Sequence, residues 1–242
     1  MKKIAIKGRG TAGALGLTHF LRWTDHDIDW YYDPSRPTQA VGESTNLLFP
    51  RALYANIGFQ YSDLNKINGS YKRSVYKKGW GKKTFEFEHF FPPPTVSCHV
   101  DCLAFQDYVL DFIKDNPRVK CIPENKTNDE IDADYVLDCS GRPTDYEDFT
   151  ISEFIPVNST HVIQCYWDGP TFDYTLTIAR PHGWVFGIPL QNRCSFGYLY
   201  NKDISTLEEV HEDLLKVIEE YGVTLAYQWW ESLDGSTDIS GA

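Results

Sequence analysis

Apolar and polar positions alternate in a way that divides this chain into elements. Ile4-Ala5-Ile6 is a short apolar strand that runs into a glycine-rich turn. Ala14 to Trp23 then has helical spacing, with Leu17, Phe20 and Leu21 on one side. Asp29 to Asp33 is the next predicted strand, aromatic and ending in an acid, and residues 34 to 45 form a loop. Leu47 to Ile57 has a helical pattern despite Pro50, with Gly58 as its stop. Residues 69 to 91 mix lysines and aromatics as β-structure until Pro92-Pro93-Pro94 breaks it. Asp101 is placed to cap a helix reaching about Lys114, with Phe105, Val109, Phe112 and Ile113 on one face. Asp134 to Asp138 is a strand that leads into Cys139-Ser140-Gly141.

From residue 161 the period changes to two. His161 to Asp168, Asp173 to Ala179, Trp184 to Pro189 and Cys194 to Tyr200 read as four antiparallel strands. Ser205 and Glu208 are spaced as a capping box. Leu207, Val210, Leu214, Val217 and Ile218 then form one stripe of a structural helix that closes at Gly222. The weakest stretch is residues 142 to 160, with Pro143 and Pro156, but it does not amount to a strong domain boundary. The expectation is a single module: residues 1–160 a dinucleotide-binding core with an insertion, 161–204 an antiparallel sheet, and 205–222 a helix.

Composition narrows the partners. The net charge of −11 disfavours nucleic acid and anionic membrane surfaces, which call for a basic face. Lys72-Arg73, Lys77-Lys78 and Lys82-Lys83 form a short local basic stretch. The six cysteines form no CxxC pair and no zinc-spaced cluster with histidine, so they are expected to be reduced in a cytoplasmic protein. Met1 is followed at once by a strand, and no signal peptide is expected. No apolar run approaches the ~20 residues of a membrane span. Aromatics make up 15% of the residues, with seven tryptophans, which suits a core and also sites for flat ligands.

Gly8-Arg9-Gly10-Thr11-Ala12-Gly13 has the GxGxxG spacing between a strand and a helix. Asp33 follows about 20 residues beyond Gly13, as a dinucleotide fold requires. Gly8 permits the tight turn, Gly10 lets a pyrophosphate approach the backbone, and Gly13 lets helix and strand pack closely. The amides of Thr11, Ala12 and Gly13 lie at the helix N-terminus, where anions bind. Asp33 is suited to accept hydrogen bonds from a ribose, or else is a turn acid ahead of Pro34. Lys7 departs from the apolar pattern of a buried parallel strand and fits where its side chain can snorkel out. The long excursion after Asp33 favours FAD over NAD. So does the late strand ending in Ser140-Gly141, which resembles the turn that closes FAD modules of the glutathione-reductase type.

Three further segments carry a family resemblance. Gly69-Ser70-Tyr71-Lys72, running to Trp80, resembles the stretch around the essential lysine of the flavin-dependent tryptophan halogenases. Val41-Gly42-Glu43-Ser44-Thr45 resembles their glycine-glutamate-threonine loop beside the flavin. Gly183-Trp184-Val185-Phe186-Gly187-Ile188-Pro189-Leu190 resembles their WxWxIP motif, with Phe186 in place of the second tryptophan. His99-Val100-Asp101 is similar to the stretch leading into a helix under the FAD, where His99 reads as a structural residue.

The resemblance, which reaches from residue 3 to about 200, implies an α/β fold: a three-layer FAD-binding Rossmann module of the glutathione-reductase type with an inserted antiparallel sheet. It implies reduced FAD supplied by a separate flavin reductase, with dioxygen and halide as co-substrates. Lys72 would be the catalytic lysine that directs hypohalous acid onto a small electron-rich aromatic. Gly8, Gly10, Thr11, Ala12, Gly13, Asp33, Gly42, Glu43, Ser44, Thr45, Ser140 and Gly141 would hold the cofactor. Trp184, Phe186, Ile188 and Pro189 would keep substrate and flavin apart.

The compact form resembles members carried by marine viruses. Family members are about twice this long, so the chain is expected to be truncated at its C-terminus. Glu231-Ser232-Leu233-Asp234-Gly235-Ser236-Thr237 echoes the family's catalytic glutamate loop only faintly. A complementing C-terminal chain or a homo-oligomer, an FAD-dependent monooxygenase, and an incomplete FAD-binding fragment are the alternatives this leaves open.

Overall fold

The computed structural model describes residues 2–36, 43–82, 84–141, 146–147, 149–150, 152–221, 224–225 and 237–238. The chain divides into two compact units, residues 1–40, 46–67 and 100–148 in one, and residues 41–45, 68–99 and 149–242 in the other.

The first unit is built on a parallel sheet. Strand β1 (Lys3–Lys7) pairs with β2 (Asp27–Tyr31) on one side and with β9 (Tyr135–Asp138) on the other, and β8 (Val119–Ile122) extends the sheet beyond β2. The order β8-β2-β1-β9 is that of a Rossmann half whose third parallel strand arrives late. Ile4, Ile6, Ile28 and Trp30 are buried on one face of β1 and β2, whereas the other face sets Ala5 and Tyr31 among Lys3, Lys7, Asp27 and Asp29, with Lys3 Nζ 2.8 Å from Asp29 Oδ2.

Helix α1 (Thr11–Trp23) follows the glycine turn and buries Ala14, Leu17 and Leu21. Arg118 closes its C-terminus, donating from Nη1 to Thr24 O and from Nη2 to Leu21 O, both at 2.6 Å. A cation there also meets the negative end of the helix dipole. Helix α2 (Leu48–Ile57) ends at Gly58, whose φ of 73° is left-handed. Asn56 ties α2 to α1: its Nδ2 donates to Thr18 Oγ1 at 3.2 Å and its Oδ1 accepts from Trp23 Nε1 at 2.9 Å.

Helix α3 (Cys102–Ile113) is capped by Asp101, which accepts from the amides of Leu103 and Ala104. The sequence places Phe112 on the buried face, but it is 48% exposed. Cys102 and Gln106 are buried instead, which rotates the buried arc away from it. A one-turn 3-10 segment, Asn128–Glu130, carries its own capping box from Thr127.

The second unit holds an antiparallel sheet with one parallel junction. Strands β10 (Ser159–Tyr166), β13 (Arg193–Tyr200), β12 (Gly183–Pro189) and β11 (Tyr174–Arg180) are sequential antiparallel neighbours. β11 then pairs in parallel with β5 (Ser74–Lys78), and β5 pairs antiparallel with β6 (Glu86–Phe90). Two-residue strands β14 (Thr224–Leu225) and β15 (Thr237–Asp238) pair with β10. A separate three-stranded sheet is formed by β3 (Glu43–Ser44), β7 (Ser97–Val100) and β4 (Ser70–Lys72).

Helix α4 (Leu207–Glu220) packs Val210, Leu214, Val217 and Ile218 onto Ile163, Val185, Phe196 and Tyr198 of the large sheet. Its capping box lies one residue later than the spacing of Ser205 and Glu208 suggests. Thr206 Oγ1 accepts from the Glu209 amide, and Glu209 Oε2 accepts from the Thr206 amide at 2.9 Å. Ser205 is buried and hydrogen-bonded to His182 Nδ1 at 3.0 Å, so it is not available to cap. Leu207 becomes the first helical residue, and its side chain, directed back towards the helix start, is 45% exposed. Gly222, the expected stop, lies outside the described residues. No described helix is long and apolar enough to cross a membrane.

Candidate functional site

In the first unit the glycine turn is shaped by what touches it. Gly8 has φ of 103°, and a Cβ there would stand 2.2 Å from Cys139 O. The residue must therefore be glycine for two reasons, its backbone region and the close approach of the turn after β9. Gly13 lies against Gly8, where a Cβ would meet the Gly8 carbonyl at 2.0 Å. Trp30 Nε1 fixes that carbonyl from below at 2.9 Å. A Cβ on Gly10, by contrast, meets nothing within 4 Å. Gly10 is the N-cap of α1, and no side chain caps the helix.

An open backbone at an uncapped helix start is the donor set that a pyrophosphate needs, so these residues fit a dinucleotide. Cys139 and Ser140 are brought beside Gly8 by the pairing of β9 with β1, and Gly141 follows with a left-handed φ of 94° and open space around its Cα. Ser140 is held by Asp138, whose Oδ1 accepts from its amide at 2.9 Å and its hydroxyl at 2.6 Å. Lys7 reaches out of the sheet to Asp138 Oδ2 at 3.3 Å and Asn128 Oδ1 at 3.4 Å.

Asp33 lies two residues past the end of β2 instead of within it. Its Oδ1 accepts from the Ser35 hydroxyl at 2.5 Å and the Ser35 amide at 2.9 Å. The Ser35 hydrogen bonds hold its carboxyl below the usual carboxylate range. An ionised acceptor is what a ribose diol would meet, but here it also builds the turn.

In the second unit the side chains converge around Lys72. Lys72 is 6% exposed, and its Nζ donates to Ser44 Oγ and to Thr45 O, both at 2.8 Å. The Phe91 ring centroid lies 5.5 Å from Nζ. No described carboxylate lies within ion-pairing distance. Burial therefore pushes the Lys72 amine below its ordinary pKa, as expected when the charged form is desolvated without a counter-ion. Thr45 is held in turn: its Oγ1 is 2.8 Å from Ser97 Oγ and 2.5 Å from Cys98 O. Gly42 and the Glu43 side chain lie outside the described residues, as do residues 231–236.

Trp184 and Phe186 lie on the face of β12 opposite Val185 and Gly187, with ring centroids 6.4 Å apart. Trp80 joins them edge-on to Trp184 at 6.0 Å and donates from Nε1 to Thr177 O at 3.2 Å. Phe186 fits because Gly197 lies beneath it: a Cβ on Gly197 would stand 2.1 Å from the ring. Ile188 is buried, and the Pro189 carbonyl accepts from Ser70 Oγ at 2.5 Å.

Thr175, which the sequence left without a role, and His99, which it read as structural, belong to this cluster. Thr175 Oγ1 lies 2.6 Å from Ser44 Oγ and 2.9 Å from His99 Nε2. His99 is fully buried, and burial first, then the neighbouring Lys72, lower its pKa to about 3. It is a neutral imidazole at ordinary pH. Among the described residues no group of three or more His, Cys, Asp or Glu could hold a metal.

The tryptophan halogenase family model matches residues 113–227. No curated protein matches the sequence. Among solved structures the chain is similar to Tar14, a tryptophan C-6 flavin-dependent halogenase (chlorinase) from taromycin biosynthesis. The TM-score is 0.76 at 17% identity, over 90% of this chain and 60% of that one. The tryptophan halogenase of Shewanella frigidimarina gives a TM-score of 0.76 at 15% identity, over 90% and 59%. The tryptophan 6-halogenase SttH of Streptomyces toxytricini gives 0.73 at 17%, over 90% and 61%. At these identities the likeness is one of fold, and the chain spans about 60% of the length of the halogenases it matches.

Proposed function

We propose that this chain, a member of the flavin-dependent tryptophan halogenase family, binds FAD at the Gly8–Gly13 turn and uses Lys72 to direct a halogen onto a small aromatic substrate. One observation carries this reading. The Lys72 amine is buried and held only by a hydroxyl and a carbonyl, with no described carboxylate to neutralise it. A structural lysine is seldom left in that condition, whereas a reactive amine benefits from it.

When bound, reduced FAD supplies an electrophilic halogen with dioxygen and halide, its electrons coming from a separate flavin reductase. The protein's own residues do the rest. Gly10 and the start of α1 offer backbone donors to the phosphates, and Asp33 is an ionised acceptor for the ribose. Ser44 Oγ and Thr45 O accept from two of the Lys72 N–H groups. In the ammonium the third position is an N–H that can hydrogen-bond hypohalous acid. In the neutral amine it is a lone pair that can take the halogen as a haloamine, with loss of water. Burial favours the neutral amine and keeps bulk water from competing. Trp184 and Phe186 give the aromatic wall that separates substrate from flavin.

The test uses the full chain with FAD, a reductant, dioxygen, bromide and indole, with product read by mass spectrometry. Brominated indole is expected, and Lys72→Ala should lose it while keeping its FAD affinity. Equal activity in Lys72→Ala would sink the lysine assignment. An oxygenated product made without halide would favour a monooxygenase, the reaction that Phe186 in place of tryptophan leaves less firmly blocked.

A further inference from the structure

Lys72 is a flexible donor on a four-carbon stem, so something must hold its amine in one place. Thr45 O supplies one fixed acceptor at 2.8 Å. The other is the Ser44 hydroxyl, which sits on a two-residue strand and is free to rotate unless its proton is committed elsewhere. A row of buried polar groups in the second unit commits it.

The direction of each bond in that row can be worked out from its far end. Ser70 Oγ donates its single proton to Pro189 O at 2.5 Å, so towards His99 Nδ1, at 3.2 Å, it acts as acceptor. With the Ser70 hydroxyl as acceptor His99 carries its proton on Nδ1 and presents Nε2 as an acceptor, and the ring is hydrogen-bonded to the Tyr71 backbone as well. Thr175 donates to Nε2 at 2.9 Å and must accept from Ser44 at 2.6 Å. Ser44, its proton used, turns a lone pair to Lys72 Nζ at 2.8 Å. Every group has a partner and no donor faces a donor.

We propose that Thr175 and His99 are positioning residues for Lys72, acting through Ser44: together they lock the Ser44 hydroxyl as an acceptor and so aim the amine. This rests on the reading of Lys72 as the catalytic lysine. The order of donors needs a neutral His99, and its buried imidazole stays neutral at ordinary pH. The Cys98 thiol, the other titratable group that acts on Lys72, is also neutral, since burial pushes it up to about 11.

The test reads the Lys72 amine directly. Lysine labelled with 13C and 15N in the full chain gives the Lys72 side-chain resonance, assigned by its loss in Lys72→Met, and its titration is followed by NMR. Thr175→Val should lower the titration midpoint, because Ser44 no longer has to offer a lone pair to the ammonium. Thr175→Ser should restore it. Ser44→Ala should lower it too, and adding Thr175→Val in that background should change nothing more, since the lock works only through Ser44. In the halogenation assay Thr175→Val should cut kcat about five- to tenfold, as for loss of one aligned hydrogen bond, with KM unchanged.

An unmoved Lys72 titration in Thr175→Val would overturn the proposal, as would additive effects with Ser44→Ala. The predicted shifts in a wild-type chain that makes no halogenated product would support the lock and overturn the halogenase reading.

Discussion

Gly8 and Gly10 are two residues apart in one turn, and replacing each by alanine should have opposite consequences. At Gly8 the added Cβ would lie 2.2 Å from Cys139 O, where real contacts stay beyond 3.0 Å. The obstacle is backbone, so the turn after β9 and the glycine turn must separate by close to 1 Å. One hydrogen bond spans that junction, Cys139 N to Lys7 O at 2.7 Å, and a second, Gly8 N to Tyr31 O at 2.8 Å, anchors the glycine turn to β2 and would be strained with it. Weakening both costs about 1–2 kcal/mol. The left-handed φ of 103° adds about 1–2 kcal/mol for a residue with a Cβ. The sum, about 2–4 kcal/mol, should lower the melting temperature by roughly 5–15 °C and cost FAD affinity as well.

At Gly10 the backbone is extended, with φ −68° and ψ −178°, and a Cβ has open space around it. Alanine there should change stability by no more than about 0.5 kcal/mol. Its methyl group, however, would stand where the pyrophosphate must come against the backbone. Losing that approach should weaken FAD binding about 10- to 100-fold, equivalent to about 1.4–2.8 kcal/mol. Thermal unfolding of the cofactor-free chain and titration with FAD by fluorescence quenching separate the two effects. A Gly10→Ala chain that melts normally and binds FAD with wild-type affinity would refute the placement of the cofactor at this turn.

Three other substitutions test the framework. Asn56→Ala removes both hydrogen bonds between α1 and α2, leaving Trp23 Nε1 and Thr18 Oγ1 without that partner, and should cost about 1–3 kcal/mol in chemical denaturation. Asp213 is buried, which raises its pKa, but hydrogen bonds from Arg180 and Tyr198 outweigh this and hold it below its ordinary 3.8. Its depressed pKa stabilises the fold above that value and the benefit fades as pH falls through the folded pKa, so Asp213→Asn should cost about 2–3 kcal/mol at pH 7 and progressively less in acid. Lys72 has the opposite sign: its folded pKa is lowered from 10.5, so the unfolded chain binds the extra proton and stability rises with pH up to about that value. Lys72→Met should therefore be more stable than wild type at pH 7 in thermal melts, and the gain should shrink in alkali.

Local signals in the chain made most of the framework legible. The apolar run at Ile4, the glycines at 8, 10 and 13, and the period-two pattern after residue 161 each depend on neighbours within a few positions, and each has its counterpart in the structure. What failed was local competition. Ser205 and Thr206 are equally good caps by type, and burial of Ser205 against His182 decides between them. Strand β8 was unread because Val119-Lys120-Cys121-Ile122 is half polar; its place beside β2 comes from pairing across a long excursion, which no short window reports.

The surroundings of Lys72 lie beyond sequence reading for a deeper reason. Lys72, Ser70, Ser44 and His99 each stand in segments with a pattern of their own, but no such pattern says that their side chains meet, and Thr175 carries no signal at all. They meet because β3 and β4 both pair with β7 and β11 pairs with β5. Register sets which side chains face each other across these strands, and a slip of one residue would turn Thr175 or His99 to the opposite face. The chemistry of the amine thus depends on sheet pairing as much as on the lysine. That coupling implies that substitutions far along β11 or β7 which shift register, while leaving every polar residue in place, should disturb the Lys72 titration as strongly as removing Ser44.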